Sequence, residues 1–148
     1  MNSTTEIQNS DLASFLKGKS GYLPCQFIEM ALKEGMITSK VPLDPLQVQP
    51  VSLDLRLGQK AYRIQCSFLP ENEPVDIRLK DLTLYEFDIL NGGILEKNAI
   101  YLIPLMEELN LPTSFYGLAN PKSSTGRLDM FTRVIVDGGH RFDEIPRG

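Results

Sequence analysis

A chain of 148 residues, 42% hydrophobic and 23% charged, is long enough for one domain with a real core and has the balance of a soluble globular protein. Its formal net charge of −4 argues against a protein that coats nucleic acid, because binding phosphates in bulk needs an excess of Lys and Arg. The longest apolar run, AIYLIPLM at 99–106, is far too short to span a bilayer.

The charge is uneven. Residues 117–148 carry five basic side chains (Lys122, Arg127, Arg133, Arg141, Arg147) against four acidic ones, while residues 1–116 carry ten against fifteen. An acidic body with a locally cationic end suits a small anionic ligand better than a polymer. Cys25 and Cys66 stand far apart in sequence and match no disulfide or zinc spacing. With a polar opening, MNSTTEIQNSDLAS, that has no signal-peptide pattern, both are expected as free thiols in a reducing cytoplasm.

In chain order, residues 1–20 read as a polar tail in which DLASFLKG forms at most a turn of helix. PCQFIEMALKEG, 24–35, is the one firm helix. Pro24 suits a first helical position, Phe27, Ile28, Ala31 and Leu32 share a face, and Gly35 sits where a left-handed cap is common. The period then changes to two. VSLDLRLG, 51–58, alternates Val51, Leu53, Leu55 and Leu57 with polar residues. AYRIQCSFL, VDIRLKDLTLYEF, the end of NGGILEKNAIYLIPL, SFYGLAN and FTRVIVDGG follow as further strand candidates, separated by Gly, Pro and Asn clusters. This pattern predicts a mainly β fold, an antiparallel sandwich or barrel with one N-terminal helix. The β domain is expected over 21–148. Because RFDEIPRG opens another turn where strand edges would be left unpaired, the domain is expected to be incomplete at that end and to continue into a longer protein.

The segment PKSSTGRLDM, 121–130, concentrates hydroxyls and cations. Pro121 disfavours helix just before it, and Ser123 or Ser124 is placed to cap a short helix beginning there. Arg127 lies four residues after Ser123, one turn on and on the same side, and Gly126 allows close backbone approach. The run fits a phosphate cradle of hydroxyls, helix N–H groups and a guanidinium. It equally fits a capped turn with solvated charges. GLANPKS has the reach of a P-loop but lacks the second glycine before Lys122, places Pro121 where a free N–H is needed, and has no long helix after it.

QPVSLDLRLG, YGLANPKSSTGRLDM and HRFDEIPRG together resemble the dCTP deaminase branch of the dUTPase-like superfamily, and LPCQFIEMALKEGMI resembles the opening of the longer, two-domain bacterial deaminases. The resemblance covers roughly residues 21 to 148. It implies a distorted antiparallel β barrel that works as a trimer, or as two fused copies imitating one, with active sites shared between neighbours. It further implies dCTP as substrate, held by the serine-rich motif with Mg2+ on the phosphates. Position by position, Ser123, Ser124 and Arg127 match the phosphate-binding Ser-Ser-x-x-Arg, and Lys122 stands where the family usually has arginine. Arg141 and Asp143 match an Arg-x-Asp lining the nucleoside pocket, the aspartate on the sugar side. Lys122 supplies a point charge where arginine gives a fork. The spacing from Arg127 to Asp143 is a few residues longer than usual, with Asp137–Gly139 the insertion.

Deaminating cytosine adds water at C4 and expels ammonia. Most nucleobase deaminases activate that water with zinc held by His or Cys and a Pro-Cys-x-x-Cys pair. LPCQFI lacks the second cysteine and His140 is the sole histidine, so no zinc is expected in this segment. The resemblance implies metal-free acid–base catalysis, with Ser123 orienting the water and a glutamate general base that does not occur before Gly148. His140 reads as a solvated loop residue, and Asp54 and Arg56 as structural. Two other readings stand beside the deaminase. GGHRFDEIPRG also resembles the dUTP diphosphatase signature, in which Asp143 would position water at the α-phosphate, and some family members catalyse both reactions. Alternatively, the chain is the non-catalytic half of a two-domain enzyme.

Overall fold

The computed structural model describes residues 12–147, which group into two compact units. The first runs through Arg56 and takes in Met106–Ser114. The second comprises Leu57–Leu105 and the residues from Phe115 onward. Of the tail expected over residues 1–20, residues 1–11 lie outside the described residues, and the turn of helix expected within it forms at Leu12–Phe15. Leu12, the first residue described, is fully buried.

In the first unit, α1 (Leu12–Phe15) is held against α2 (Cys25–Lys33) by the Leu12 N–H, which donates to the Glu34 carboxylate at 3.0 and 3.1 Å. The expected face of α2 forms: Ile28 and Ala31 are buried, joining Leu12 and Met36 in a small core. Pro24 stands one place earlier than expected, at the N-cap, and Gly35 adopts the left-handed φ of 73° that ends the helix. Strand β1 (Ile37–Ser39) then pairs antiparallel with β7 (Glu107–Leu109), and β2 (Val48–Gln49) folds back on β3 (Ser52–Leu53) through a two-residue turn.

One polar cluster ties these pieces together. The Glu107 side chain has no solvent exposure and accepts from the Arg56 N–H at 2.8 Å, Arg56 Nε at 2.8 Å and Gln47 Nε2 at 3.0 Å. Arg56 spends its remaining donors on Ser39 Oγ and on the carbonyls of Val41 and Pro42. Gln47, also buried, closes a capping box with Asp44 over the 3-10 turn Pro45–Gln47. Burial would raise the Glu107 pKa, but the hydrogen bonds from Arg56 and Gln47 outweigh it and hold the carboxyl below its ordinary value. Arg56 is thereby structural, as the sequence implied.

The second unit centres on β4 (Lys60–Ile64), flanked by β5 (Thr83–Asp88) and β6 (Ile100–Leu102) in antiparallel order β5-β4-β6. Ala61, Ile64 and Phe68 form its core. A second antiparallel pair joins β8 (Gly117–Leu118) to β9 (Glu144–Ile145), Gly117 opposite Ile145 and Leu118 opposite Glu144.

The fold is mainly β and antiparallel, as expected, although the described residues form four separate small sheets and no closed barrel. Three segments differ from the strand reading. Residues Val75–Leu82 form a helix, α3, so only the second half of VDIRLKDLTLYEF is strand. VSLDLRLG pairs only at Ser52–Leu53 and at an isolated bridge from Leu57 to Leu105. FTRVIVDGG joins no ladder, because both backbone polar groups of Val134 are committed to Asp143. Besides α2, the turn of helix expected in DLASFLKG forms as α1 and the short helix expected at the serines as α4 (Ser123–Gly126), so α3 is the helix that the strand reading did not anticipate.

Candidate nucleotide site

The β8–β9 ladder brings the two cationic segments of the second unit side by side. Beyond β8 the chain passes Asn120 and Pro121 into α4, and just before β9 it carries Arg141 and Asp143. The link is direct, since the Ala119 N–H donates to the Asp143 carbonyl at 2.9 Å.

Lys122, rather than a serine, stands at the N-cap of α4, with extended φ/ψ of −62°/140° and no side-chain cap bond. Pro121 restricts its predecessor and leaves Lys122 unconstrained; Lys122 is extended and the helix begins at Ser123. Both serines consequently fall inside the first turn. Their N–H groups are among those a helix leaves without an intrahelical acceptor. Arg127 follows as the C-cap, its N–H donating to the Ser123 carbonyl at 3.0 Å, which sets it one turn on from Ser123. Lys122, Ser123, Ser124 and Arg127 are all exposed, and a Cβ added at Gly126 would meet nothing within 4 Å. The turn therefore combines hydroxyls, free-ended N–H groups and a guanidinium in the donor set that phosphate oxygens require.

Two concavities adjoin these segments. One, of about 260 Å³, is bordered by Pro121, Gly126, Met130, Phe131 and Arg133, while Ser123, Ser124 and Arg127 line neither concavity. The other, of about 270 Å³, is bordered by Tyr116, His140, Arg141, Glu144 and Arg147. Arg147 lies over the Tyr116 ring at 5.7 Å, and Arg141 Nη1 is 3.3 Å from Glu144 Oε1. The structure thus brings Lys122, Ser123, Ser124 and Arg127 together on one turn and sets Arg141 at the second concavity.

Asp143 lines neither concavity and is heavily engaged. One carboxylate oxygen accepts from the Val134 N–H at 2.9 Å and the other pairs with the Arg133 guanidinium, leaving the side chain 14% exposed. The Asp143 N–H returns a bond to the Val134 carbonyl at 2.9 Å, and its backbone takes a left-handed φ of 65°. The segment expected to be an insertion is also held: Asp137 Oδ1 accepts from the Val75 N–H at 2.7 Å at the start of α3. Sequence reasoning counted Arg133 and Arg147 only as local charge. Arg133 carried no motif signal, because FTRVIVDGG read only as a strand candidate.

Among the described residues no group of three or more His, Cys, Asp or Glu is placed to hold a metal ion, and no helix is long and apolar enough to cross a membrane. Cys25 is half-buried in the first unit and Cys66 is exposed in the second, both as free thiols.

An antiparallel β domain carrying a serine–arginine turn beside an Arg-x-Asp loop defines a protein of the dUTPase-like fold class. More particularly, residues 19–148 match the family described as 2'-deoxycytidine 5'-triphosphate deaminase N-terminal domain, and the chain belongs to that family. It is 31% identical over 118 residues to a protein of Sulfurihydrogenibium sp. named dCTP deaminase, dUMP-forming, covering 76% of this chain and 62% of that one. A Persephonella marina protein of the same name is 33% identical over 104 residues, covering 66% of this chain and 55% of the relative. The crystal structure of 2'-deoxycytidine 5'-triphosphate deaminase from Agrobacterium tumefaciens superposes with a TM-score of 0.83 at 47% identity, covering 86% of this chain and 38% of that chain. The chain therefore spans about three fifths of the curated relatives it matches, and less of the structural neighbour.

Proposed function

We propose that the protein to which this domain contributes hydrolytically deaminates dCTP, and that the α4 turn holds the triphosphate. The observation that carries this reading is the placement of Ser123, Ser124 and Arg127 on one exposed turn, joined through the β8–β9 ladder to Asp143. The donors of that turn suit phosphate oxygens, and Lys122 adds a charge without a fixed fork. Mg2+ would arrive on the phosphates and neutralise part of their charge, since the turn offers donors rather than cation ligands. Arg141 and Asp143 would face the nucleoside, the aspartate accepting from the sugar hydroxyl.

The chemistry is addition of water at cytosine C4 followed by loss of ammonia, giving dUTP. Ser123 would orient the water, and a glutamate supplied by the whole protein would take its proton and pass it on. No zinc enters this route, following the lack of a Cys-x-x-Cys pair in the sequence. We place the protein in the cytoplasm, acting on a free nucleotide rather than on nucleic acid or a membrane. Its sites would be shared between copies in a trimer or a fused equivalent. One specific observation favours a second reading, a bifunctional enzyme that continues to dUMP: both curated relatives are named for that product. In that case Asp143 would also serve the diphosphatase step.

Product analysis of the full-length protein, given dCTP and dUTP in parallel, tests the proposal. Ammonia and dUTP from dCTP support the deaminase. Ammonia with dUMP and pyrophosphate supports the bifunctional reading. Pyrophosphate from dUTP with no ammonia from dCTP contradicts both.

A further inference from the structure

Arg133 sits at the junction of the two halves of the candidate site. It borders the 260 Å³ concavity alongside Gly126 of α4, and its guanidinium pairs with Asp143 at the end of the Arg-x-Asp loop. The neighbouring Val134 N–H binds the other Asp143 oxygen, so consecutive residues grip both oxygens of one carboxylate. The reciprocal bond from the Asp143 N–H to the Val134 carbonyl fixes the backbone as well. A carboxylate that is 14% exposed and held at two points has little rotational freedom left. Its remaining lone pairs are therefore aimed rather than averaged over rotamers.

We infer that Arg133 is a positioning residue for nucleoside selection, orienting Asp143 so that its carboxylate accepts from the sugar hydroxyl of the bound nucleotide. This rests on the reading of Asp143 proposed above. Arg133 acts through Asp143, and its side chain, 55% exposed, borders the same concavity as Gly126 of α4. Removing it leaves one tether, the Val134 N–H, about which the carboxylate turns.

The test is calorimetric titration of the full-length protein with dCTP and with its dideoxy analogue, which lacks the sugar hydroxyl. A hydrogen bond to a charged group gives the unaltered protein a preference for dCTP on the order of tenfold. Arg133→Ala is expected to bring that preference close to one, and Arg133→Lys, which restores a point charge, to recover part of it. Loss of folded protein lowers the number of sites without altering the ratio of dissociation constants, so the ratio isolates positioning from stability. An Arg133→Ala protein that keeps the full preference overturns the inference alone, as does a lysine variant that behaves like alanine. An unaltered protein that binds dCTP without preference, or does not bind it, overturns the Asp143 reading together with the inference.

Discussion

Arg56 and Glu107 show how a single buried pair can hold an irregular segment of chain. The carboxylate accepts three hydrogen bonds, and the arginine also satisfies three acceptors on or near the Ser39–Pro42 turn. Removing one partner of such a pair strands the other, which costs more than the pair itself contributes. Arg56→Ala is expected to destabilise the protein by roughly 3 kcal/mol, read as a lowered denaturant midpoint. The lowered Glu107 pKa also predicts a direction with pH. A group whose folded pKa lies below its unfolded value contributes fully above the unfolded value, and loses that contribution as pH falls through the folded one. The stability gap between the unaltered protein and Glu107→Gln should therefore narrow on acidification. A gap that persists well below the carboxylate range contradicts this account of Glu107.

Among the elements, close backbone approach decides where the sparse pairing of residues 51–58 can occur. Gly58 donates to the Pro104 carbonyl at 2.6 Å, and a Cβ built there would lie 2.8 Å from that same oxygen. Gly58→Ala is expected to cost on the order of 2 kcal/mol, because the obstacle is backbone and cannot swing aside. A melting temperature within a degree or so of the unaltered protein would show that the segment shifts freely. Helix α2 was legible in the sequence because proline, apolar face and glycine agreed with one another. Residues 75–82 were not. Val75, Ile77 and Leu79 fit a strand, while Val75, Leu79 and Leu82 fit a helix equally well. The structure chooses the second set, leaving Ile77 43% exposed, with Asp137 binding the Val75 N–H from 62 residues away. A long-range contact of that kind leaves no mark in local periodicity. The α4 turn was legible as a motif, but its register was not, since Pro121 constrains its predecessor and says nothing about Lys122. Arg133 was invisible for a related reason. Its contact comes from a loop closing on Asp143, ten residues on.

For the whole molecule, family membership gives the fold, while the activity remains the proposal made above, because the chain spans only part of the relatives it matches. The full-length protein is expected to release ammonia from dCTP, with the product distinguishing a deaminase from a bifunctional enzyme. If the proposal holds, binding should localise to this domain whichever product is formed, because the proposed phosphate donors lie on α4. The most direct measurement is titration of dCTP into the full-length protein and its Arg127→Ala variant, with thermal unfolding of both. Arg127 is exposed, so its loss should leave stability within about 0.5 kcal/mol while dCTP binding is abolished. An Arg127→Ala protein that folds normally and binds dCTP as tightly as the parent would contradict the assignment of this turn to the triphosphate.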